Sequence, residues 1–275
     1  MKGRRALVTG ASRGIGPYIA RALADEGVHV ALTARSPEPL EALASEIRER
    51  GVDVHVITAD LSERDERARL VEEAESALGA VDILVNNAGL ESEGAFACLD
   101  AETIERTVTT NLVAPMHLTR LVLPAMGKLG RGHIVNMASI GGKKGAPYDA
   151  LYSGTKAGLV EWSNALRIEL EGTGVSVSVI CPGFVTEVGM FAKFGVTPPA
   201  SLGSCTAPQV ARAVVHVVQT NRAEIIVNST PIRPLLMLYA LFPGVAGWLF
   251  RLLGVTEFQR RKVGAEGPLI ASRSG

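Results

Sequence analysis

The chain has 275 residues, enough for one doubly wound sheet with a sizeable core. Its 28 basic and 28 acidic residues balance, which excludes a global field for nucleic acid or an anionic membrane. Cys98, Cys181 and Cys205 are odd in number and unpaired in spacing, which argues against a disulfide framework or zinc cluster and for a reducing compartment, read here as the cytoplasm. Met1 to Arg5 is basic, but the apolar run behind it is short and enters a glycine turn, so it does not read as a secretory leader.

In chain order, Ala6 to Thr9 is predicted to be a buried strand. A glycine turn follows, then a helix with apolar positions at Ile15, Ile19, Ala20, Leu23 and Ala24. Gly10, Gly14 and Gly16 let backbone amides approach a pyrophosphate, and the helix amino end adds its dipole and free N–H groups. VHVALTAR is a second strand ending at Arg35, followed by a helix over Pro37 to Glu49. A carboxylate at that strand end would accept the ribose 2′-OH of NAD. This chain instead offers Arg35, with Ser12 and Arg13 in the turn, a set suited to a 2′-phosphate, so NADP(H) is favoured over NAD(H). The third strand ends near Asp60, where the carboxylate beside Leu61 could hold the adenine edge; Ser62 also reads as a helix cap, and both can hold. VDILVNNAG is a fourth strand whose Asn87-Ala88-Gly89 closes against the cofactor, small residues permitting close approach.

Ala101 to Met126 reads as helical with Asn111 in its middle, where a side-chain bond to backbone would bend the helix. Asn111 could bind a water behind Lys156 or be a satisfied core asparagine. His133 to Met137 is a fifth buried strand, which puts Ser139 at a strand's carboxyl end, where open α/β sheets bind ligands. If Tyr152 lies in a helix, Lys156 emerges from the same face one turn on. A phenol of pKa about 10 is a poor acid near neutrality. A nearby ammonium lowering it by about 2 to 3 units would supply about 3 to 4 kcal/mol. Tyr148 lacks that one-turn relation to Lys156. A sixth strand ends at Pro182-Gly183 and a seventh is EIIVN. The alternation implies one doubly wound parallel sheet of about seven strands with helices on both faces, over residues 1–230.

Residues 231–275 form an apolar helical extension and a polar tail. Pro234 to Phe250 carries no charge and is broken by Pro243-Gly244 into two short helices. It reads as a lid over the substrate pocket or an oligomer interface, ahead of a peripheral membrane contact through residues 234–253 and, last, a true span. The first two imply a bulky, lipophilic substrate. Glu187 to Cys205 reads as a loop that closes over substrate, and the tail from Gln259 as frayed. The five histidines are dispersed and give no metal-ligand cluster.

Thr9-Gly10-x-x-x-Gly14-x-Gly16, Asp60, Asn86-Asn87-Ala88-Gly89, Asn111, Ser139, Tyr152-x-x-x-Lys156 and Pro182-Gly183 occur in this order on suitable elements. Jointly they make the chain resemble the short-chain dehydrogenase/reductase family over roughly residues 3 to 230. The resemblance implies that Tyr152 is the acid/base, Ser139 orients the reacting oxygen and Lys156 lowers the tyrosine pKa and holds the nicotinamide ribose. It implies that Asn111 supports a relay water and that Val185 and Thr186 contact the nicotinamide carboxamide, although Glu187-Val188 departs from the familiar pattern. The expected activity is that of an NADP(H)-dependent carbonyl reductase or alcohol dehydrogenase, as a homodimer or homotetramer, with a lipophilic small-molecule substrate. A dinucleotide-binding regulator without turnover, or a membrane-surface lipid-binding protein, are the rival readings.

Overall fold

Seven apolar segments pair side by side as one sheet. The computed structural model describes residues 1–199, 202–252 and 254–264. Its strands are β1 (Arg5–Thr9), β2 (His29–Ala34), β3 (Val54–Thr58), β4 (Ile83–Asn86), β5 (Gly132–Met137), β6 (Val175–Pro182) and β7 (Glu224–Val227). All pairings are parallel, in the order β3-β2-β1-β4-β5-β6-β7. The chain winds outward from β1 to β3, then returns to start β4 on the other side of β1. Open α/β sheets bind ligands at the carboxyl edge of such a switch point.

Because parallel neighbours cannot be joined by a tight turn, every connection crosses over through helix. These are α1 (Gly16–Asp25), α2 (Pro37–Arg48), α3 (Arg64–Leu78), α4 (Ala101–Val108) with α5 (Ala114–Leu129), α6 (Ile140–Lys143) with α7 (Ala150–Glu169), and α8 (Ala207–Thr220). Alternate strand residues serve opposite faces. Val8, Leu32 and Val85 pack under α1, α2 and α8 through Ile19, Leu40 and Val214, whereas Leu7, Leu84 and Ile134 pack under α3 and α5 through Leu70 and Leu118.

Between α4 and α5 the helix widens into one π-helical turn, Thr109–Val113, so the predicted distortion at Asn111 is present. Its carboxamide is engaged by backbone outside the helix, which is what such a bulge accommodates.

The extension forms α9 (Arg233–Leu241), α10 (Pro243–Leu252) and α11 (Val255–Lys262). The break falls at Phe242, and Pro243 opens α10, a position that needs no N–H donor. Among the described residues no helix is long and apolar enough to cross a membrane. The expected fraying from Gln259 is corrected: α11 runs to Lys262, and Gln259 and Lys262 are buried at 4% and 8% exposure. Sequence reading missed this because a polar, basic stretch carries no apolar stripe; the Lys262 ammonium is buried against Glu93, supplied from far away in the chain. Residues 265–275 of the expected tail lie outside the described residues.

At the edge of the sheet opposite the cleft, Asp82 precedes β4 with its side chain 1% exposed. It accepts from Arg5 N at 3.0 Å, Arg5 Nε at 2.7 Å and Arg131 Nε at 2.9 Å. Burial opposes its charge, but Arg5 and Arg131 hold the carboxyl below its usual range. One carboxylate thus ties the starts of β1, β4 and β5 together. Asp82→Ala is expected to lower unfolding stability by about 3 kcal/mol, read from urea denaturation at neutral pH. Because the folded pKa is depressed, the difference from wild type should shrink as pH falls below about 4.

Candidate active site

The glycine turn after β1 is packed too tightly for side chains. A Cβ on Gly16 would lie 2.1 Å from Gly10 O, and one on Gly10 would lie 2.8 Å from Ala88 Cα. Gly10 and Gly14 also have φ near +64°, a conformation that favours glycine. Across the switch point Asn87 Nδ2 donates to Thr9 O at 3.0 Å and Gly10 O at 3.1 Å. The Thr9 hydroxyl accepts from the Asn87 and Ala88 amides at 2.9 and 3.0 Å. These bonds lock β1 to β4 and leave the turn's amides facing a cleft of about 1030 Å³.

At one end of the cleft stand Ser12, Arg13, Ile15, Arg35, Asp60 and Leu61. Asp60 Oδ1 accepts from Ser62 N at 2.9 Å and Ser62 Oγ at 2.7 Å, and the expected helix cap at Ser62 is corrected: the N-cap of α3 is Glu63, and the Ser62 hydroxyl is bonded to Asp60. Burial opposes its charge, but the Ser62 bonds and the guanidiniums of Arg35 and Arg106 hold it below the usual range. Arg106 was not foreseen. It lies on α4, far in sequence from the other two guanidiniums lining the cleft.

At the middle of the carboxyl edge, Ser139 follows β5 and caps α6, its Oγ accepting from Gly141 N at 3.0 Å. Tyr152 and Lys156 lie one turn apart on α7. The Lys156 ammonium donates to Met137 O at 2.8 Å and sits 5.6 Å from the Tyr152 ring centroid. Asn111, fully buried, accepts from Leu90 N at 2.7 Å and donates to Leu90 O at 2.9 Å and Thr155 Oγ1 at 3.1 Å. A Cβ on Gly89 would lie 3.4 Å from Asn111 Oδ1 and 3.6 Å from Lys156 Nζ, so the amide and the amine flank that glycine.

Ser139, Tyr152, Lys156, Pro182, Gly183 and Val185 line the cleft together with Gly10, Gly14, Asn87, Ala88 and Gly89. Gly16, Asn111 and Thr186 do not. Gly16 and Asn111 are packed beneath the wall, and Thr186 is exposed just past the bridge of Val185 to Cys205, a difference from the expected carboxamide contact. The expected lowering of the phenol pKa is also corrected. Burial first, then the Asp149 carboxyl, push the Tyr152 phenol above its usual value against an opposing bond with Ser139. Burial brings Lys156 down to about 8. The ammonium, itself desolvated and bonded to Met137 O, does not offset the desolvation of the phenol.

Sequence reading also missed the opposite wall. Glu91, Glu93 and Asp149 line the cleft, and Glu93 pairs with Lys262 of α11 with both side chains nearly buried. Burial and the neighbouring Glu93 raise Glu91 to about 8, and burial and Glu93 raise Asp149 to about 7. No spacing rule links residues this far apart in the chain.

The sequence profile of the short chain dehydrogenase family matches residues 4–197. The chain belongs to this family. Among similar proteins of this short-chain dehydrogenase is the ketoacyl reductase HetN of Nostoc sp. (strain PCC 7120), 40% identical over 267 residues that cover 95% of this chain and 93% of that protein. A 3-oxoacyl-[acyl-carrier-protein] reductase of Staphylococcus epidermidis is 38% identical over 67% of this chain and 76% of its own length. A variant of actinorhodin polyketide ketoreductase crystallised with NADPH superposes with a TM-score of 0.75 at 35% identity, covering 83% of this chain and 96% of that one.

The raised carboxyls have a measurable consequence for this short-chain dehydrogenase. A carboxyl whose folded pKa lies above its unfolded value adds stability below about pH 4 that is lost as pH rises to about 7 or 8. Thermal melting across pH 5 to 9 is therefore expected to show Glu91→Gln gaining Tm relative to wild type as pH rises from about 5 to about 8, the difference levelling off above that.

Proposed function

We propose that this enzyme is an NADP(H)-dependent reductase of ketones, acting on a bulky, largely apolar carbonyl compound of the ketoacyl class. The observation that carries the reading is the convergence of Ser139 and Tyr152 on one stretch of the cleft beside the glycine turn. The chain's residues fit the cofactor: the backbone-lined turn leaves no room for a Cβ at Gly10 or Gly16, and Arg13 and Arg35 stand at the end where a 2′-phosphate would lie. When bound, the nicotinamide supplies hydride chemistry.

Tyr152, whose phenol pKa is held by burial above its usual value, is protonated near neutral pH and suits donation to a carbonyl oxygen, taking the proton back in the reverse reaction. Ser139 Oγ, beside it, donates to the same oxygen as negative charge develops. Lys156, near 8 and bonded to Met137 O, supplies positive charge beneath the phenol and a donor toward the ribose. Asn111 positions Leu90 and Thr155 around that lysine.

Substrate class rests on the wall and on the relatives. Phe184, Phe191, Phe194, Leu202, Leu235 and Leu236 line the cleft, and the last two come from α9, which supports a lid role for residues 231–264. The names of the relatives, ketoacyl reductase and 3-oxoacyl reductase, favour 3-oxoacyl thioesters within that class. A panel of ketones and 3-oxoacyl thioesters of graded chain length, assayed with both cofactors at the reduced-nicotinamide absorbance, tests it. No oxidation of NADPH with any member overturns the reading.

Tyr152→Phe is expected to lower turnover by about a thousandfold while the Kd for NADPH stays within about threefold of wild type. Arg35→Ala should weaken NADPH by at least about tenfold and NADH by less than about threefold, measured by fluorescence titration. An equal loss for both cofactors means that Arg35 does not read the phosphate.

A further inference from the structure

Asp149 is the N-cap residue of α7 without doing what that position usually does. An aspartate there normally turns its carboxylate onto the helix's free amides. Here the backbone carbonyl starts the helix, accepting from Ser153 N at 2.9 Å, while the side chain makes no capping bond. It lines the cleft instead, at 7% exposure, and its Oδ1 has no hydrogen-bond partner among the described residues. A buried acceptor without a partner is costly, and such groups commonly await a ligand or an ordered water.

Its neighbours hold it in that pose. Tyr148, one residue earlier, has φ of +62°, a left-handed conformation that bulky side chains rarely adopt. The Tyr148 carbonyl accepts from Gly94 N at 2.8 Å, which joins this loop to the one carrying Glu91 and Glu93. Glu93 is held from behind by Lys262 of α11, and its Oε2 is likewise buried without a partner. Asp149 is also close to the reacting groups. A Cβ on Gly141 would lie 3.7 Å from Asp149 Oδ2, 3.4 Å from Ser139 Oγ and 3.6 Å from Ser153 Oγ.

We propose that Asp149, with Glu93 beside it, forms a polar subsite in the cleft wall that binds a hydroxyl group carried by the carbonyl substrate a few bonds from the reacting oxygen. The inference rests on the reductase reading and narrows its substrate to hydroxyl-bearing ketones. A hydroxyl is the group that fits because it both donates and accepts. Burial raises Asp149 to about 7, so near neutrality it presents either an acceptor or a donor, and a hydroxyl satisfies both forms. A carbonyl would meet only the protonated form, and an N–H would leave the protonated carboxyl's own O–H without an acceptor. Phe184, Phe191, Leu202 and Leu235 of the same cleft offer apolar surface for the rest of such a chain.

The test is a ketone series in which one hydroxyl is moved carbon by carbon along the chain, each member paired with the ketone lacking it. The quantity read is the ratio of kcat/KM within each pair, with NADPH saturating. Wild type is expected to favour the hydroxyketone by about ten- to a hundredfold at one hydroxyl position. Asp149→Leu should bring that ratio close to one, while Asp149→Asn, which keeps an acceptor and a donor, should retain most of it. Since each ratio is internal to one variant, a general loss of activity or stability cancels. A wild-type ratio near one at every position, with both series reduced, overturns the subsite and leaves the reductase reading standing. So does a ratio that Asp149→Leu leaves unchanged. Failure of wild type to reduce either series withdraws the reductase reading and the subsite with it.

Discussion

The bond from the Lys156 ammonium to the Met137 carbonyl, 2.8 Å long and buried, sets the geometry of the whole site. An ammonium taken out of water has to find partners, and this one finds a carbonyl at the last residue of β5. The contact pins α7 to the sheet edge. Ser139 stands two residues beyond Met137, and Tyr152 stands one turn before Lys156, so a single docking point positions both oxygens. Asn111 reaches the same place from the other direction, through the π-helical turn that frees its carboxamide to bond Leu90 and Thr155.

Around that point the molecule divides its labour. The floor is backbone: glycines whose missing Cβ atoms allow β1, β4 and α1 to crowd together, held by Thr9 and Asn87. The amino edge of the sheet carries the stabilising ion pairs of Asp82, remote from the cleft. The wall of the cleft that carries Glu91, Glu93 and Asp149 draws on loops and on α11, which lies beyond the segment that matches the family profile. Binding surfaces that vary between relatives are expected on such segments, while a rigid sheet keeps the chemistry in place.

The same wall explains why the phenol behaves as it does. A lysine can lower a tyrosine pKa only while its own charge is favourable and near, and here both groups are desolvated and the amine is engaged by a carbonyl. Carboxyls at Asp149, Glu91 and Glu93 add to the opposition. The outcome is a tyrosine that holds its proton near neutrality beside a lysine of lowered pKa.

Sheet, helices and the glycine turn were legible in the residues because each depends on neighbours in sequence: alternation of apolar strands and amphipathic helices, Gly10 and Gly16 at a turn, Tyr152 one turn from Lys156. The bend at Asn111 was legible too, since a mid-helix asparagine conflicts with helix propensity. Arg106, Lys262 and the carboxyl wall were not, because each acts on residues tens or hundreds of positions away. The sign of the tyrosine shift was misread for a related cause: one-turn spacing reports that two side chains share a face, but desolvation and the bond to Met137 depend on what is packed around them. The sequence by itself determined the strand order's raw material, the glycine turn after β1 and the one-turn spacing of Tyr152 and Lys156. Only the tertiary structure decided how buried those groups are, which charges oppose them and what lines the wall they face, because burial and long-range electrostatics exist only once distant segments are brought together.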